Sequence, residues 1–202
     1  MSQLCRLVLI RHGETVGESS VRFHGSNDVE LSAEGRALMR EVGRGLRGEV
    51  FDLVLASPLR RSWEAASIVV GGAPVRLEHG FREIDFGRWE GMTRQEIEAA
   101  DPLLYQDWQE KTTGFDFPGG EPRAEFRARV LRGLERLERS GATSALVVVH
   151  KGTIRTIADR LLETPLAEGE PPLGGVVVLS RGADGCWVRG RRGSDRPGLE
   201  AA

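Results

Sequence analysis

The sequence is poor in cysteine and contains no long apolar run. Its two cysteines, Cys5 and Cys186, are too few for a disulfide scaffold, and we expect both to lie as small hydrophobic side chains in apolar strands. The apolar run 7–10 stops at Arg11, short of the roughly 7–15 residues of a signal-peptide core. No window approaches the ~18 apolar residues of a membrane span. These absences predict a soluble, cytoplasmic protein.

A large excess of charge of one sign is also absent, because the formal net charge is only -2. No global field therefore favours nucleic acid or an anionic membrane, and we expect neither as a partner. Any anion-binding function must come from a local cluster of cations.

A chain of 202 residues with 40% hydrophobic content can bury one full core. No internal repeat or linker divides it. We predict a single domain over residues 1–189 and a disordered tail over residues 190–202, where arginines lie among glycines.

Apolar strand-like runs alternate with amphipathic helical segments, a pattern typical of an α/β fold with a mainly parallel sheet. Ser32 and the capping box at Thr93 mark helix starts. Ser57-Pro58 also predicts a helix start, with Trp63 facing inward. Strands are predicted over 4–10, 51–55, 74–77 and 144–149, the longest helix over 121–139, and a terminal hairpin over 176–179 and 186–188.

Histidine and arginine side chains follow the predicted strands. His12 follows the first strand, Arg61 lies in the first turn after the second, and His150 follows residues 144–149. Ligands of open α/β sheets bind beyond the carboxyl ends of the strands, so these side chains should converge at one edge. Arginine forks match phosphate oxygens, and a neutral imidazole is a competent nucleophile. The set therefore indicates phosphoryl transfer, although either histidine taken alone would also fit a hydrogen-bonded core residue.

Four segments strengthen this interpretation: residues 11–15 (RHGET), 57–62 (SPLRRS), 82–91 (REIDFGRWEG) and 150–155 (HKGTIR). Together, and in this order, they resemble the motifs of the histidine phosphatase superfamily over residues 4 to about 162. The resemblance implies a single-domain, three-layer α/β/α sandwich of the phosphoglycerate-mutase-like type.

The resemblance also implies roles for individual residues. His12 attacks phosphorus, Arg11, Arg61 and His150 hold the phosphoryl oxygens, and Glu83 protonates the leaving group. Neither a metal nor a cofactor is implied, and the carboxylates lack a clustered ligand spacing. Further substrate-binding candidates are Thr15, His24, Gly25 and Lys151. Of these, His24 equally fits an exposed loop residue and Lys151 a solvent-facing one.

Residues 86–91 and 118–121 resemble the phosphatase branch of the family, and 202 residues leave little room for the insertion carried by mutases. We therefore predict a metal-independent phosphomonoesterase that acts on a small phosphorylated metabolite. A cofactor-dependent phosphoglycerate mutase and a non-catalytic phospho-ligand-binding protein are the alternatives. Pairing of the hairpin edge in a homodimer is left open.

Two features bear on the substrate. Glu18 occupies a position where many family members have asparagine, and a carboxylate near a phosphate would repel it. Its side chain must then turn outward or face an amine-bearing substrate. The aromatic residues Tyr105, Trp108, Phe115 and Phe117 fit either core packing or an apolar cap over the organic part of the substrate.

Overall fold

A single six-stranded sheet forms the centre of the computed structural model, which describes residues 3–110 and 114–190. The strands are β1 (Arg6–Arg11), β2 (Leu53–Ala56), β3 (Arg76–Leu77), β4 (Ser144–Val149), β5 (Val176–Arg181) and β6 (Trp187–Arg189). Their order is β3-β2-β4-β1-β5-β6. Strands β1 to β4 are parallel, whereas β5 runs antiparallel to β1 and β6. The predicted parallel sheet with a terminal hairpin is confirmed.

In the described part of the chain, six α-helices connect or flank the strands. They are α1 (Ala33–Gly45), α2 (Arg60–Val69), α3 (Arg94–Ala100), α4 (Pro102–Glu110), α5 (Arg123–Glu138) and α6 (Lys151–Leu161). The Ser32 side chain caps α1, and Thr93 with Glu96 forms the predicted capping box at α3. Within the described ranges, no helix has the length and apolar character needed to cross a membrane.

Alternate residues of each strand point to opposite faces of the sheet, and both faces are covered. Val8 and Ile10 of β1 belong to a core with residues of α1 and α2. Leu7 and Leu9 belong to a second core with residues of α5 and α6. This arrangement gives the predicted three-layer α/β/α sandwich and explains why the central strands are apolar without alternation.

The predicted start of α2 is wrong. The helix begins at Arg60 after Leu59, with no side-chain cap. The Ser57 hydroxyl accepts from the backbone N–H of Leu59, ahead of the helix, at 3.3 Å and lies 2.8 Å from His150 Nε2. In the observed register Arg61, Ser62, Ala65 and Ala66 are buried. Trp63 therefore falls on the outer side and is 41% exposed, not inward-facing as predicted.

The expectation of buried cysteines is also wrong. Cys5 and Cys186 are both exposed free thiols, because β1 begins at Arg6 and β6 at Trp187, so each cysteine lies just before its strand. The tail predicted over 190–202 falls outside the described residues except for Gly190.

Candidate active site

The sheet register places the two predicted site histidines side by side. Arg11 at the end of β1 pairs with Val149 at the end of β4, so His12 and His150 follow neighbouring strands at the same level. Their ring centroids are 5.2 Å apart, with an angle of 67° between the ring planes. The side chains are only 4% and 1% exposed.

The tautomer of His12 follows from its hydrogen bond. Its Nδ1 lies 2.8 Å from the carbonyl oxygen of Gly13, and since a carbonyl can only accept, Nδ1 carries the proton. Nε2 then has a free lone pair in the neutral ring, and His12 lines a cavity of about 760 Å³. Burial, and secondarily the charge of Arg61, hold the pKa of His12 well below its usual value. The ring is thus kept neutral and nucleophilic.

His150 is oriented by two hydroxyl groups that sequence reasoning did not assign to the site. Its Nε2 lies 2.8 Å from Ser57 Oγ and 3.3 Å from Ser62 Oγ. Ser57 stood out in the sequence as a helix cap and as the first residue of the 57–62 motif, and neither feature linked it to a residue 93 positions away. Burial and the charge of Arg61 lower the pKa of His150 well below its ordinary value.

Arg61 is completely buried beside the two histidines. Its guanidinium donates to the carbonyl oxygens of Asn27 at 2.6 Å, His24 at 2.9 Å and Gly25 at 2.8 Å. These carbonyls fix the side chain without neutralising its charge. Burial lowers the pKa of Arg61 to about 10, so the group stays cationic at neutral pH.

Four buried nitrogen atoms around His12 lack a hydrogen-bond partner among the described residues. They are Arg11 Nε, His24 Nδ1, Arg61 Nε and His150 Nδ1. Buried polar atoms in native proteins are nearly always satisfied, so such a group requires an explanation. One Arg11 Nη1–H bond goes to the Pro171 carbonyl at 3.2 Å, and burial lowers the pKa of Arg11.

Glu83 is a buried carboxyl group on the same cavity, 8% exposed. Its oxygens accept from the backbone N–H of Ile84 at 3.0 Å and of Gly152 at 2.9 Å. Burial is the largest influence and raises the pKa of Glu83 in spite of those bonds. A carboxyl with a raised pKa is suited to act as a general acid.

The backbone that carries Glu83 is held by Arg129 of α5, which the sequence analysis did not identify. Its guanidinium donates to the carbonyl oxygens of Gly80, Arg82 and Glu83 at 2.9, 2.7 and 2.8 Å. The same group forms an ion pair with Glu121 at 2.6 Å. Local sequence carries no signal for this contact, since the partners lie up to 49 residues apart.

The remaining substrate-binding candidates divide into two groups. His24 and Lys151 line the cavity, whereas Thr15 and Gly25 lie behind it. Thr15 is 2% exposed with its hydroxyl 2.8 Å from Ser19 Oγ. At Gly25 an added Cβ would lie 1.9 Å from the Ile84 carbonyl oxygen, so only glycine permits this close approach.

Glu18 lies outside the cavity lining. Its φ of 58° is in the left-handed region, which asparagine adopts more readily than glutamate. The exposed carboxylate forms an ion pair with Arg22 at 3.3 Å. The side chain therefore turns outward, which is one of the two orientations predicted for it.

The aromatic residues contribute to both the core and the cavity. Trp108 and Phe117 line the cavity, while Phe115 stacks on buried Trp89 with centroids 5.3 Å apart. The ring centroids of Tyr105 and Trp108 are 5.7 Å apart. Trp108 and Phe117 thus form an apolar wall of the cavity, whose lining also contains cations such as Arg11 and Lys151.

The α/β fold thus brings two histidines, His12 and His150, together with the cationic side chains of Arg11 and Arg61 at one edge of the sheet. The chain belongs to the histidine phosphatase superfamily (branch 1), which it matches over residues 7–191. The family prediction is confirmed, and the chain is a phosphatase.

Similar proteins are phosphatases of different substrates. A glucosyl-3-phosphoglycerate phosphatase of Mycobacterium tuberculosis is 33% identical, covering 85% of this chain and 81% of that protein. An adenosylcobalamin/alpha-ribazole phosphatase of Salmonella typhimurium is 29% identical, covering 90% and 88%. The crystal structure of a putative alpha-ribazole-5'-P phosphatase from Escherichia coli superimposes with a TM-score of 0.81 at 29% identity, covering 98% and 100%.

Proposed function

We propose that this protein hydrolyses small phosphate monoesters through a phosphohistidine on His12. The Nε2 lone pair attacks phosphorus while the bond to the ester oxygen breaks, and Glu83 gives that oxygen its proton. Arg11, Arg61 and His150 hold the three remaining phosphoryl oxygens. Glu83, now a carboxylate, takes a proton from the water that attacks phosphorus, and inorganic phosphate leaves as His12 is restored.

The observation that carries this proposal is the set of unsatisfied buried nitrogens on Arg11, Arg61 and His150. A phosphoryl group supplies strong acceptor oxygens that would satisfy such donors in charge-assisted hydrogen bonds. The nucleophile stands among them, because the His12 and His150 ring centroids are 5.2 Å apart. An ordinary structural pair of histidines would have no need of two partly unsatisfied arginines.

The proposal extends to catalysis without a metal ion. In residues 3–110 and 114–190, no group of three or more His, Cys, Asp or Glu side chains is arranged to hold a metal, and the cations that face the phosphoryl position are arginines. The single domain over residues 1–189, the cytoplasmic location, the absence of nucleic-acid and membrane partners and the open homodimer stay predictions.

Rapid-quench labelling tests the proposal. With a ³²P-labelled monoester in EDTA-containing buffer, we expect label on the protein that survives alkali and is lost in acid, as a phosphoramidate requires. His12→Ala should abolish the label and reduce turnover by at least about a thousandfold. His79→Asn is the matched control, because His79 is an exposed histidine outside the cavity.

Three outcomes would overturn the proposal. One is turnover without transient labelling, and another is near-normal turnover of His12→Ala. The third is transfer of the label to a sugar acid in place of water, which would make the chain a mutase.

A further inference from the structure

The lining of the cavity carries more positive charge than one phosphoryl group requires. Besides Arg11, its lining includes six basic residues: Arg22, Arg94, Arg123, Arg127, Lys151 and Arg155. Among the described residues, its lining contains only two carboxylates, Glu83 and Asp159. Since the whole chain has a net charge of -2, this is a local concentration of cations and not a general property of the surface.

Some of these cations are already engaged. Arg22 forms ion pairs with Glu18 and Glu96, and Arg155 donates to the carbonyl oxygens of Ala167 and Glu170. Contacts within the protein therefore explain the positions of these two side chains.

Three other cations form no direct ion pair with a carboxylate among the described residues: Lys151, Arg94 and Arg127. Arg94 lies 5.6 Å from the ring centre of Trp108, which places its charge over the apolar wall. Arg127 projects from α5 as an exposed side chain. Their charges point to an anion from outside the protein.

Lys151 is the innermost of the three. It is the first residue of α6, directly after His150, and it is half-buried. Burial, and then repulsion by Arg11, Arg155 and Arg94, lower the pKa of Lys151, and the attraction of Glu168 offsets these effects only in part. A cation held against like charges in a partly buried position is destabilised until an anion joins it, so its position needs a reason other than solvation.

We infer that Lys151 and Arg94 form a second anion subsite beside the phosphoryl position, so the natural substrate is a phosphate monoester with a second anionic group, a carboxylate or another phosphate. The inference rests on the proposed hydrolysis at His12. The scissile phosphoryl group lies among Arg11, Arg61 and His150, while the organic part packs along Trp108 and Phe117 toward Lys151.

Matched esters test the subsite. The pair 4-carboxybenzyl phosphate and 4-carbamoylbenzyl phosphate differs mainly in charge at one end, and 3-phosphoglycerate with glycerol 3-phosphate is a shorter pair. We expect kcat/KM to favour the anionic member of at least one pair by about tenfold, mainly through KM, as a charge-assisted contact predicts. The bisphosphate of 1,4-benzenedimethanol distinguishes a second phosphate from a carboxylate.

Variants locate the effect. Lys151→Met and Arg94→Gln should each reduce that preference by about fivefold to tenfold, with a smaller effect on the uncharged ester. Arg160→Gln is the control, because Arg160 is exposed on the same helix α6 and does not line the cavity. It should leave the preference unchanged.

A second readout observes the Lys151 side chain of the unsubstituted protein directly, with a substitution used only to assign its signal. The chain contains only two lysines, Lys111 and Lys151, so reductive ¹³C-methylation gives few NMR signals, and Lys151→Met identifies one of them. That signal should shift on addition of 4-(hydroxymethyl)benzoate with inorganic phosphate and not with 4-(hydroxymethyl)benzamide with phosphate.

The outcomes separate the two proposals. Hydrolysis of both members of each pair with equal kcat/KM would overturn the subsite and leave the phosphatase proposal standing. An equal loss for charged and uncharged esters in Lys151→Met would also overturn it, since Lys151 would then serve the scissile phosphoryl group. No hydrolysis of any ester would overturn the function itself.

Discussion

The carboxylate of Glu83 accepts a hydrogen bond from the backbone N–H of Gly152, at 2.9 Å, in the first turn of α6. Gly152 comes two residues after His150, so one helix start positions both the proposed acid and a proposed phosphate ligand. At Gly152 an added Cβ would lie 2.5 Å from Glu83 Oε1. The space beside this glycine is therefore reserved for the carboxyl group.

Gly152→Ala should reduce kcat by at least about tenfold, because the methyl group displaces Glu83 from the ester oxygen. Stability should be nearly unchanged, since alanine is favoured over glycine within a helix by about 1 kcal/mol, which offsets the local clash. Steady-state kinetics with an alkyl phosphate and a thermal melt check both expectations. Gly45→Ala in α1 is the control, because nothing lies within 4 Å of its added Cβ. Full activity in Gly152→Ala would contradict the predicted role of Glu83.

The pH dependence should reveal the acid. Because burial raises the pKa of Glu83, the carboxyl keeps its proton above the pH at which exposed glutamates lose theirs. The single-turnover rate of phosphohistidine formation from an alkyl phosphate should fall as pH rises through that pKa. Glu83→Gln should remove this limb and slow the step by about 10²–10⁴-fold. With p-nitrophenyl phosphate, whose leaving group needs no proton, the loss should be much smaller; equal losses for both esters would rule out proton donation.

The buried histidines should make stability depend on pH. Burial lowers the pKa of His12 and of His150 well below 6.5, so the unfolded chain binds protons there that the folded chain does not. The free energy of unfolding should therefore fall as pH drops from about 6.5 toward the folded-state pKa values, by up to about 1.4 kcal/mol per pH unit for each histidine. Urea denaturation at pH 7.5, 6.5 and 5.5 measures this slope. The His12→Asn/His150→Asn variant should show less of it, and an unchanged slope would count against burial of neutral rings.

Arg129 should act as a positioning residue for Glu83. Arg129→Gln leaves three backbone carbonyls and the Glu121 carboxylate without their donor, which should cost about 1–3 kcal/mol of stability. It should also lower kcat by about tenfold and shift the pH limb assigned to Glu83, a change that simple destabilisation would not produce. Arg132→Gln, on the exposed side of the same helix, is the control. A loss of stability with an unshifted pH limb would reduce Arg129 to a structural role.

The strands and the buried residues of the helices were predicted well from the sequence, because apolar periodicity reports burial directly. The strand predicted over 144–149 is β4 without change, and Phe126 and Val130 of the longest helix are buried as their spacing implied. Positions at element ends were less predictable. Ser57 fits a helix cap locally, but its hydroxyl also hydrogen-bonds to His150, which follows another strand, and local propensity does not encode that contact.

The site was predictable where its residues follow strands, since strand ends in a parallel sheet meet at one edge. His12 and His150 are brought together for that reason. The supporting residues were not predictable, because Arg129 and Ser57 act through contacts that depend on how α5 and β2 pack in three dimensions. Their sequence neighbours carry no mark of that packing.

The pairing of Arg11 with Val149 at the ends of β1 and β4 fixes the relative position of the two histidines that follow these strands. A one-residue insertion in either strand would move one imidazole by roughly 3.3 Å and turn it to the opposite side of the sheet. The distance between the two rings is therefore set by the backbone hydrogen bonds between β1 and β4, and a change of register would alter it. The loops and helices that line the cavity are not restricted in this way. Substitutions there can therefore change which ester binds while the positions of the reactive residues stay the same.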